Sequence, residues 1–175
     1  MSTKDFLKKI KDEDIEYVDV RFTDTRGKLQ HVTIVSDLVD EDFVEEGFMF
    51  DGSSIAGWKS IEASDMKLML DTDTAYVDPF YAEKTICVHC SVVEPDTGEA
   101  YERDPRGTAQ KAEAYLKASG IGDVAYMGPE AEFFLFDNVK FSNSINKVSY
   151  EVDASDASWN TDTDYEMGNM GHRPG

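Results

Sequence analysis

Two glutamates one residue apart carry the clearest chemical signal in this sequence. Glu130 and Glu132 lie in the stretch GPEAEFFLFD, which is rich in strand-forming residues. Because side chains alternate along a strand, both carboxylates would share one face, where they repel each other unless something positive lies there. Oxygen ligands favour a hard divalent ion such as Mg²⁺ or Mn²⁺. The alternative is a solvated polar strand face, since the E-x-E pattern is common.

A second stretch, FMFDGSSIAGWKSIEASD at residues 48–65, combines an acid, two hydroxyl groups and a large aromatic residue. These are Asp51, Ser53, Ser54 and Trp58. The stretch is too polar for a core strand and too rich in large apolar residues for an ordinary surface loop. By residue type alone, Asp51 and the serines could simply cap a turn or a helix, and Trp58 could fold back onto its own core.

The remaining metal-binding residue types indicate no further site. Cys87 and Cys90 lie in the apolar, β-branched stretch KTICVHCSVV, where positions three apart on a strand face opposite ways. That geometry fits neither a zinc site nor a disulfide bond, so we expect two buried thiols. His31, His89 and His172 are scattered along the chain, and we assign them no role.

Composition limits the choice of partner. The chain has 175 residues, of which 41% are hydrophobic and 30% charged, so it can bury a sizeable core. Its formal net charge of -19 makes nucleic acid and anionic membrane surfaces poor partners and makes cations and amines better ones. No apolar run is long enough to span a membrane, and the charged beginning MSTKDFLKKIKDED does not resemble a signal peptide, so we expect a cytoplasmic protein.

The first hundred residues predict a small α+β unit. Apolar periodicity and turn residues indicate a helix at 2–13, a β-hairpin at 15–36 with its turn at 24–27, and a helix ending at 47. After the loop at 48–65, short strands are expected at 66–71, 74–80 and 85–95. We expect these strands to form an antiparallel sheet.

A charged, turn-rich passage at residues 94–107 marks the predicted domain boundary, with domains at 1–103 and 104–175. Asp104 and Pro105 are expected to begin a helix that Gly120 ends. Its predicted buried face consists of Ala109, Ala112 and Leu116, with Tyr115 at its margin.

The strand with the two glutamates should follow that helix and continue into the core through residues 134–136. After Asp137 the chain is polar and lacks periodic apolar residues, so we predict a long segment without regular structure.

Taken together and in this order, the two stretches resemble the bacterial type I glutamine synthetases. The first is similar to the N-terminal signature of that family, with Phe50, D-G-S-S at 51–54, the pair Ser64–Asp65, and Leu68 in the signature positions. The second is similar to the first metal-binding strand of the family's catalytic domain. The segments RFTDTRGKLQHVTI, DPRGTAQKAEAYL and NMGHRP also look like family segments, and the resemblance runs from about residue 15 to the last residue.

The resemblance implies a fold and an activity. It implies a β-grasp-like N-terminal domain followed by the start of a catalytic domain with an antiparallel sheet and helices. Family members join ammonium to the γ-carboxylate of glutamate through a γ-glutamyl phosphate, using ATP and Mg²⁺ or Mn²⁺. In this sequence Glu132 matches a ligand of the metal on the glutamate side, and Glu130 matches a ligand of the metal on the ATP side.

The resemblance also implies roles for the loop. Asp51 matches the acid that binds ammonium and takes its proton, and Ser54 is expected to orient that pocket. In the family the loop reaches a neighbouring subunit of a double hexameric ring, so Trp58 is expected to pack across the interface.

Type I chains are much longer than this one, and their other metal ligands, glutamate-binding arginines and most nucleotide contacts lie downstream. We therefore expect the 175-residue chain by itself to be inactive. Two alternatives stay open at this stage, namely a non-catalytic assembly module and a related ligase that joins glutamate to another amine.

Overall fold

The computed structural model describes residues 1–155 and residue 157. These residues belong to two compact units, 1–125 and 126–175, which we describe separately. The first unit contains, in chain order, α1 (Thr3–Asp12), β1 (Tyr17–Thr23), β2 (Leu29–Val35), α2 (Glu41–Glu46), β3 (Phe48–Asp51), β4 (Asp65–Val77), β5 (Thr85–Val93) and α3 (Pro105–Ser119). The second contains β6 (Asn138–Ser144) and β7 (Lys147–Asp153). The α+β class expected from the sequence is confirmed.

The five strands of the first unit form one sheet in the order β2-β1-β5-β4-β3. The predicted hairpin of β1 and β2 is confirmed, with Val20 opposite Val32. The expectation of a purely antiparallel sheet was wrong, because β1 and β5 are parallel neighbours, with Val20 beside Val88. Parallel neighbours need a crossover connection, and β2, α2, β3 and β4 lie in that connection here.

Two expected short strands are one long strand. β4 runs without interruption from Asp65 to Val77, and its pairing with β5 shifts register between Asp71 and Tyr76. A register shift lets a strand absorb extra residues while its two ends keep their hydrogen bonds. The polar residues around Asp73 lie at this irregularity, which explains why the sequence pattern indicated two strands.

The core of the first unit lies on one face of the sheet. Helix α1 begins at Ser2, whose hydroxyl accepts a hydrogen bond from the Asp5 N–H, and it ends in lysines that favour a helix C-terminus. Phe6 and Ile10 occur one turn apart and are both buried, so they fix α1 against the sheet. Burial of a Phe or Ile side chain contributes roughly 1.5–3 kcal/mol each.

Helix α3 begins as predicted but does not bury the predicted face. Asp104 caps its first turn by accepting the Arg106 N–H, and Gly120 ends it in the left-handed conformation. Ala109 and Ala112 are exposed, and Tyr115 is 76% exposed, so that expectation was wrong. The beginning of α3 contacts the sheet, because the Asp104 carboxylate also accepts the backbone N–H of Val92 in β5 and the Gln110 side-chain amide donates to the Ser91 hydroxyl.

The second unit corrects two further expectations. Residues 126–137 form neither helix nor strand, and residues 134–136 are not in a core. Strand propensity is realised only where a partner strand accepts the hydrogen bonds, and no strand among the described residues pairs with this segment.

The chain after Asp137, expected to be irregular, forms the hairpin of β6 and β7. Phe141 lies opposite Tyr150 on one face, and Ile145 and Asn146 form a two-residue turn. Polar residues between the apolar positions concealed this alternation in the sequence. The NMGHRP segment, His172 and the rest of the predicted irregular chain lie outside the described residues.

Among residues 1–155 and 157, no helix is long and apolar enough to cross a membrane.

Candidate active site

Asp51 lies at the end of β3, where the strand turns into a short 3-10 helix at Gly52–Ser54. Its carboxylate Oδ1 accepts two hydrogen bonds from Ser53, one from the backbone N–H at 2.9 Å and one from the hydroxyl at 2.6 Å. The Asp51 side chain is otherwise exposed to solvent. The arrangement therefore fixes an acid at the surface without burying it.

The hydrogen bonds keep Asp51 ionised. The Ser53 hydroxyl, then the Ser53 N–H, and to a smaller extent the Ser64 side chain hold the pKa of the Asp51 carboxyl below its ordinary value. Each of these donors favours the charged form, and together they outweigh the desolvation that raises the pKa. The carboxylate is therefore negative across the physiological pH range and can attract a cation or accept a proton.

The two adjacent serines differ in their contacts. Ser53 is half-buried and binds Asp51, whereas Ser54 is exposed and its hydroxyl has no hydrogen-bond partner among the described residues. Sequence reasoning placed Ser53 in the loop but gave it no role of its own. The signal for it was the Asp-x-Ser spacing, in which a short acidic side chain bonds the backbone two residues on. The predicted role of Ser54 stays a prediction.

Trp58 anchors this loop to its own domain. Its indole ring is only 6% exposed and contacts the rings of Phe22 and Tyr101 at centroid distances of 5.5 and 5.2 Å. Its Nε1–H donates to the Thr25 hydroxyl at 3.2 Å. The expectation that Trp58 packs across a subunit interface was wrong, because an indole buried in its own core has little surface left for a partner.

Gly52 sets the distance between the loop and the sheet. Its N–H donates to the carbonyl of Ser64 at 2.7 Å. A Cβ added at this glycine would lie 2.5 Å from Met66 Cγ and 3.0 Å from the Ser64 carbonyl oxygen. Only a residue without a side chain fits this approach, so Gly52 fixes where Asp51 leaves the sheet.

The surroundings of the loop are acidic. Asp51 lies directly opposite Asp65 in the β3–β4 pairing. A neighbouring groove of about 450 Å³ is lined by Glu62, Asp65, Glu94 and Asp96, with Lys59 as its cation. Lys59 is paired with Glu94, both of whose carboxylate oxygens it contacts, at 2.7 and 2.8 Å. The remaining negative charge makes this surface attractive to small cations.

Glu130 and Glu132 lie in the second unit, in the segment without helix or strand. Both are exposed, and neither takes part in an ion pair with another described residue. Phe134 and Phe136 stack at a centroid distance of 6.1 Å and an interplanar angle of 19°, so alternate residues face the same way in this part of the segment. Two accessible carboxylates supply oxygen ligands for a hard divalent ion. No group of three or more metal-binding side chains occurs among residues 1–155 and 157.

Comparison with protein families identifies the two parts of the chain. A family model described as "Glutamine synthetase, beta-Grasp domain" matches residues 14–95. A second, described as "Glutamine synthetase, catalytic domain", matches residues 102–172.

Relatives of known name agree with these matches. The chain is 74% identical over 171 residues to glutamine synthetase of Cereibacter sphaeroides, and 69% identical over 174 residues to that of Rhodobacter capsulatus. These matches cover 98% and 99% of this chain but only 37% and 40% of the relatives' own length.

Among solved structures, a Plasmodium falciparum glutamine synthetase resembles the chain with a TM-score of 0.68 at 23% identity. The match covers 89% of this chain and 30% of that structure. A GmaS/ADP complex gives a TM-score of 0.59 at 17% identity, over 65% of this chain and 26% of its own length. At these identities the likeness concerns the fold alone.

Proposed function

Because the chain belongs to the glutamine synthetase family, we propose that the full-length protein joins ammonium to the γ-carboxylate of glutamate with ATP as co-substrate. The chain contributes a β-grasp domain and part of a catalytic domain, for which we propose the ranges 1–103 and 104–175. The family matches to 14–95 and 102–172 support a boundary in this region. A cytoplasmic location stays a prediction.

The observation that carries this proposal is the fixed, ionised and exposed carboxylate of Asp51. A substrate ammonium ion is attracted by the carboxylate and by the acidic groove beside it. Once the ion is bound, the carboxylate accepts a proton and leaves ammonia as the nucleophile. The ammonia nitrogen attacks the γ-carbonyl carbon of the glutamyl phosphate, and phosphate departs with the electron pair of the broken C–O bond and takes up the further proton that the nitrogen loses. Ser54, whose hydroxyl has no hydrogen-bond partner within residues 1–155 and 157, is proposed to contact the same pocket.

Glu130 and Glu132 are proposed as ligands of two divalent ions, Mg²⁺ or Mn²⁺. Glu132 would hold the ion on the glutamate side and Glu130 the ion on the ATP side. Their oxygen donors and exposure fit this role, and the ions would neutralise charge on the transferring phosphoryl group. The two side chains supply only part of a ligand set, so both sites need further residues.

We further propose that Asp51 serves the site of a neighbouring subunit in a double hexameric ring. The exposure of Asp51 on an anchored loop supports this arrangement, since a rigid loop can present an acid to a partner. Trp58 no longer supports it, because the indole packs within its own domain.

The test uses two variants of the full-length protein, Asp51→Ala and Glu130→Ala, each expected to be nearly inactive. The variants are dissociated, mixed in equal amounts and allowed to reassemble. In a ring of identical interfaces with random mixing, about a quarter of sites combine an intact loop with an intact glutamate pair. Glutamine formation should return to roughly that fraction of wild type if the sites act independently.

Native mass spectrometry must show mixed rings, and each variant reassembled alone serves as the control. Mixed rings without recovered activity would exclude a shared site, whereas an active Asp51→Ala variant would remove Asp51 from the reaction altogether.

A further inference from the structure

We propose that Ser53 is a positioning residue for Asp51, holding the carboxylate in the orientation in which it meets the ammonium ion. This inference rests on the role proposed above for Asp51. It assigns different tasks to two neighbouring hydroxyl groups, one that holds the acid and one, on Ser54, that is left for the pocket.

The contacts of Ser53 exceed what a turn requires. Its backbone N–H already donates to Asp51 Oδ1 at 2.9 Å, which is the bond that caps the 3-10 helix. The hydroxyl adds a second bond to the same oxygen at 2.6 Å, a short distance typical of a hydroxyl bonded to an ionised acid. Both bonds go to Oδ1, so Ser53 restricts rotation of the carboxylate without using Oδ2.

The Asp51 side chain is already oriented before the substrate arrives. An exposed aspartate normally samples several rotamers, and a reactive group that must be ordered during the reaction is less effective. The buried anchors Ile55 and Trp58 hold the backbone of the loop, while the Ser53 hydroxyl holds the side chain itself. Removing that hydroxyl should therefore release the carboxylate and leave the loop in place.

Within the described part of the chain, few other charged groups lie near Asp51. Asp65 lies opposite it in the strand pairing, and the methylene chain of Lys59 approaches Gly52, with its ammonium group paired to Glu94. The lowered pKa of the Asp51 carboxyl is due first to the two Ser53 donors and last to the Ser64 side chain, and neither Asp65 nor Lys59 contributes to it. A change at Ser53 should therefore appear directly in the pKa of the Asp51 carboxyl.

The loop supplies a matched control. The backbone N–H of Glu62 itself, and after it the Ser60 side chain, hold the pKa of the exposed Glu62 carboxyl below its ordinary value. Ser60 and Glu62 have the same two-residue spacing in the same loop, and the Ser60 hydroxyl has no part in the proposed chemistry. Ser60→Ala therefore removes a loop hydroxyl that lies beside a different carboxylate and not beside Asp51.

The first measurement follows the carboxyl carbon of Asp51 by NMR in the 175-residue chain across a pH titration. Ser53→Ala should raise the midpoint of Asp51, Ser53→Thr should keep it near wild type, and Ser60→Ala should move only Glu62. An unchanged Asp51 midpoint in Ser53→Ala would overturn the proposal, whatever the activity of the full-length protein.

The second measurement is steady-state kinetics of the full-length protein. Ser53→Ala should lower kcat/KM for ammonium at least about tenfold, which corresponds to one hydrogen bond to a charged group. The KM values for glutamate and ATP should stay within about twofold, Ser53→Thr should recover most of the activity, and Ser60→Ala should behave as wild type. A purely structural serine would instead lower the melting temperature and affect all three substrates together.

The outcomes separate this inference from the proposed function. Normal ammonium kinetics in Ser53→Ala, with Asp51→Asn inactive, would leave Asp51 in the reaction and reject the positioning role of Ser53. Normal kinetics in Asp51→Asn would reject the proposed function of Asp51 and the role of Ser53 with it.

Discussion

The two acidic regions of this chain are built in opposite ways. The Asp51 loop is anchored from below by buried Ile55 and Trp58, and its carboxylate is fixed by local hydrogen bonds. The segment with Glu130 and Glu132 is exposed along its length, and no described residue pairs with either carboxylate. The first region takes its conformation from its own domain. The second offers ligands whose geometry the described part of the chain does not fix.

This difference follows from where the large side chains lie. Trp58 belongs to an aromatic cluster with Phe22, Phe50 and Tyr101 beneath the loop. The aromatic residues of the second segment are exposed, with Phe133 at 76%. Buried aromatic contacts contribute both through apolar area and through ring geometry, so only the first region gains stability from them.

The largest effect is expected from removing the anchor. Trp58→Ala should lower the free energy of unfolding by about 3–5 kcal/mol, since it deletes a buried aromatic ring and leaves a cavity. Urea unfolding followed by circular dichroism measures this loss. Ile61→Ala is the control, because Ile61 lies in the same loop but is 83% exposed, and it should change stability by less than about 0.5 kcal/mol. Equal losses in both variants would contradict the anchored-loop description.

A smaller effect is expected from the same glycine substitution made in each region. Gly52→Ala should cost about 1–3 kcal/mol, because the new Cβ collides with Met66 and the Ser64 carbonyl. Gly128→Ala should be nearly neutral, because no atom of the described residues lies within 4 Å of its added Cβ. Thermal unfolding of the two variants tests the contrast, and a destabilised Gly128→Ala would show that the second segment is more tightly packed than its exposure indicates.

Local signals made the first region predictable from sequence. Ser2, Asp104 and Gly120 are helix-end residues whose effect acts within one turn, and the predicted helices begin and end as expected. The alternation around Val20 predicted the hairpin correctly. The parallel pairing of β1 and β5 was missed, because it joins residues far apart in sequence, and no local pattern encodes it.

The candidate site was only partly predictable. Residue types selected Asp51, Glu130 and Glu132, whose proposed roles stay predictions. Residue types could not show whether Trp58 lies at an interface or in the core, because its neighbours in the sequence are the same in both cases. Only the structure shows that it is buried. Ser53 was passed over for Ser54, since side-chain rotamers decide which of two adjacent hydroxyls reaches the acid.

A third prediction concerns acid sensitivity in the sheet of the first unit. Burial pushes the pKa of the Asp19 carboxyl upward, but hydrogen bonds involving Thr33, Arg21 and His31 outweigh it and hold the pKa below its ordinary value. A carboxyl with a depressed folded-state pKa contributes stability above its unfolded pKa of about 3.9. That contribution is lost as pH falls through the folded-state pKa.

The unfolding free energy of the first unit should therefore fall below about pH 4. Asp19→Asn should have a lower unfolding free energy at neutral pH but should lose less of it as the pH falls, measured by urea unfolding at several pH values. If the curves of unfolding free energy against pH stay parallel for wild type and Asp19→Asn down to the lowest pH, other carboxyls cause the loss of stability in acid.

The smallest effect is expected where the second region loses its charges. Glu130→Gln and Glu132→Gln, together in the 175-residue chain, should change the unfolding free energy by no more than about 0.5 kcal/mol. The reason is that both side chains are exposed and neither forms an ion pair with a described residue.

In the full-length protein the same pair of substitutions should weaken Mn²⁺ binding at least about tenfold, because each replaces a charged ligand by a neutral amide. Calorimetric titration with Mn²⁺ measures this loss, and Glu151→Gln, an exposed acid of the β6–β7 hairpin paired with Lys140, is the control that should bind as wild type. Unchanged Mn²⁺ affinity in the double variant would show that Glu130 and Glu132 are solvated surface charges and not metal ligands. A large loss of stability in the 175-residue chain would show that the second region, like the first, uses its acids to stabilise its own fold.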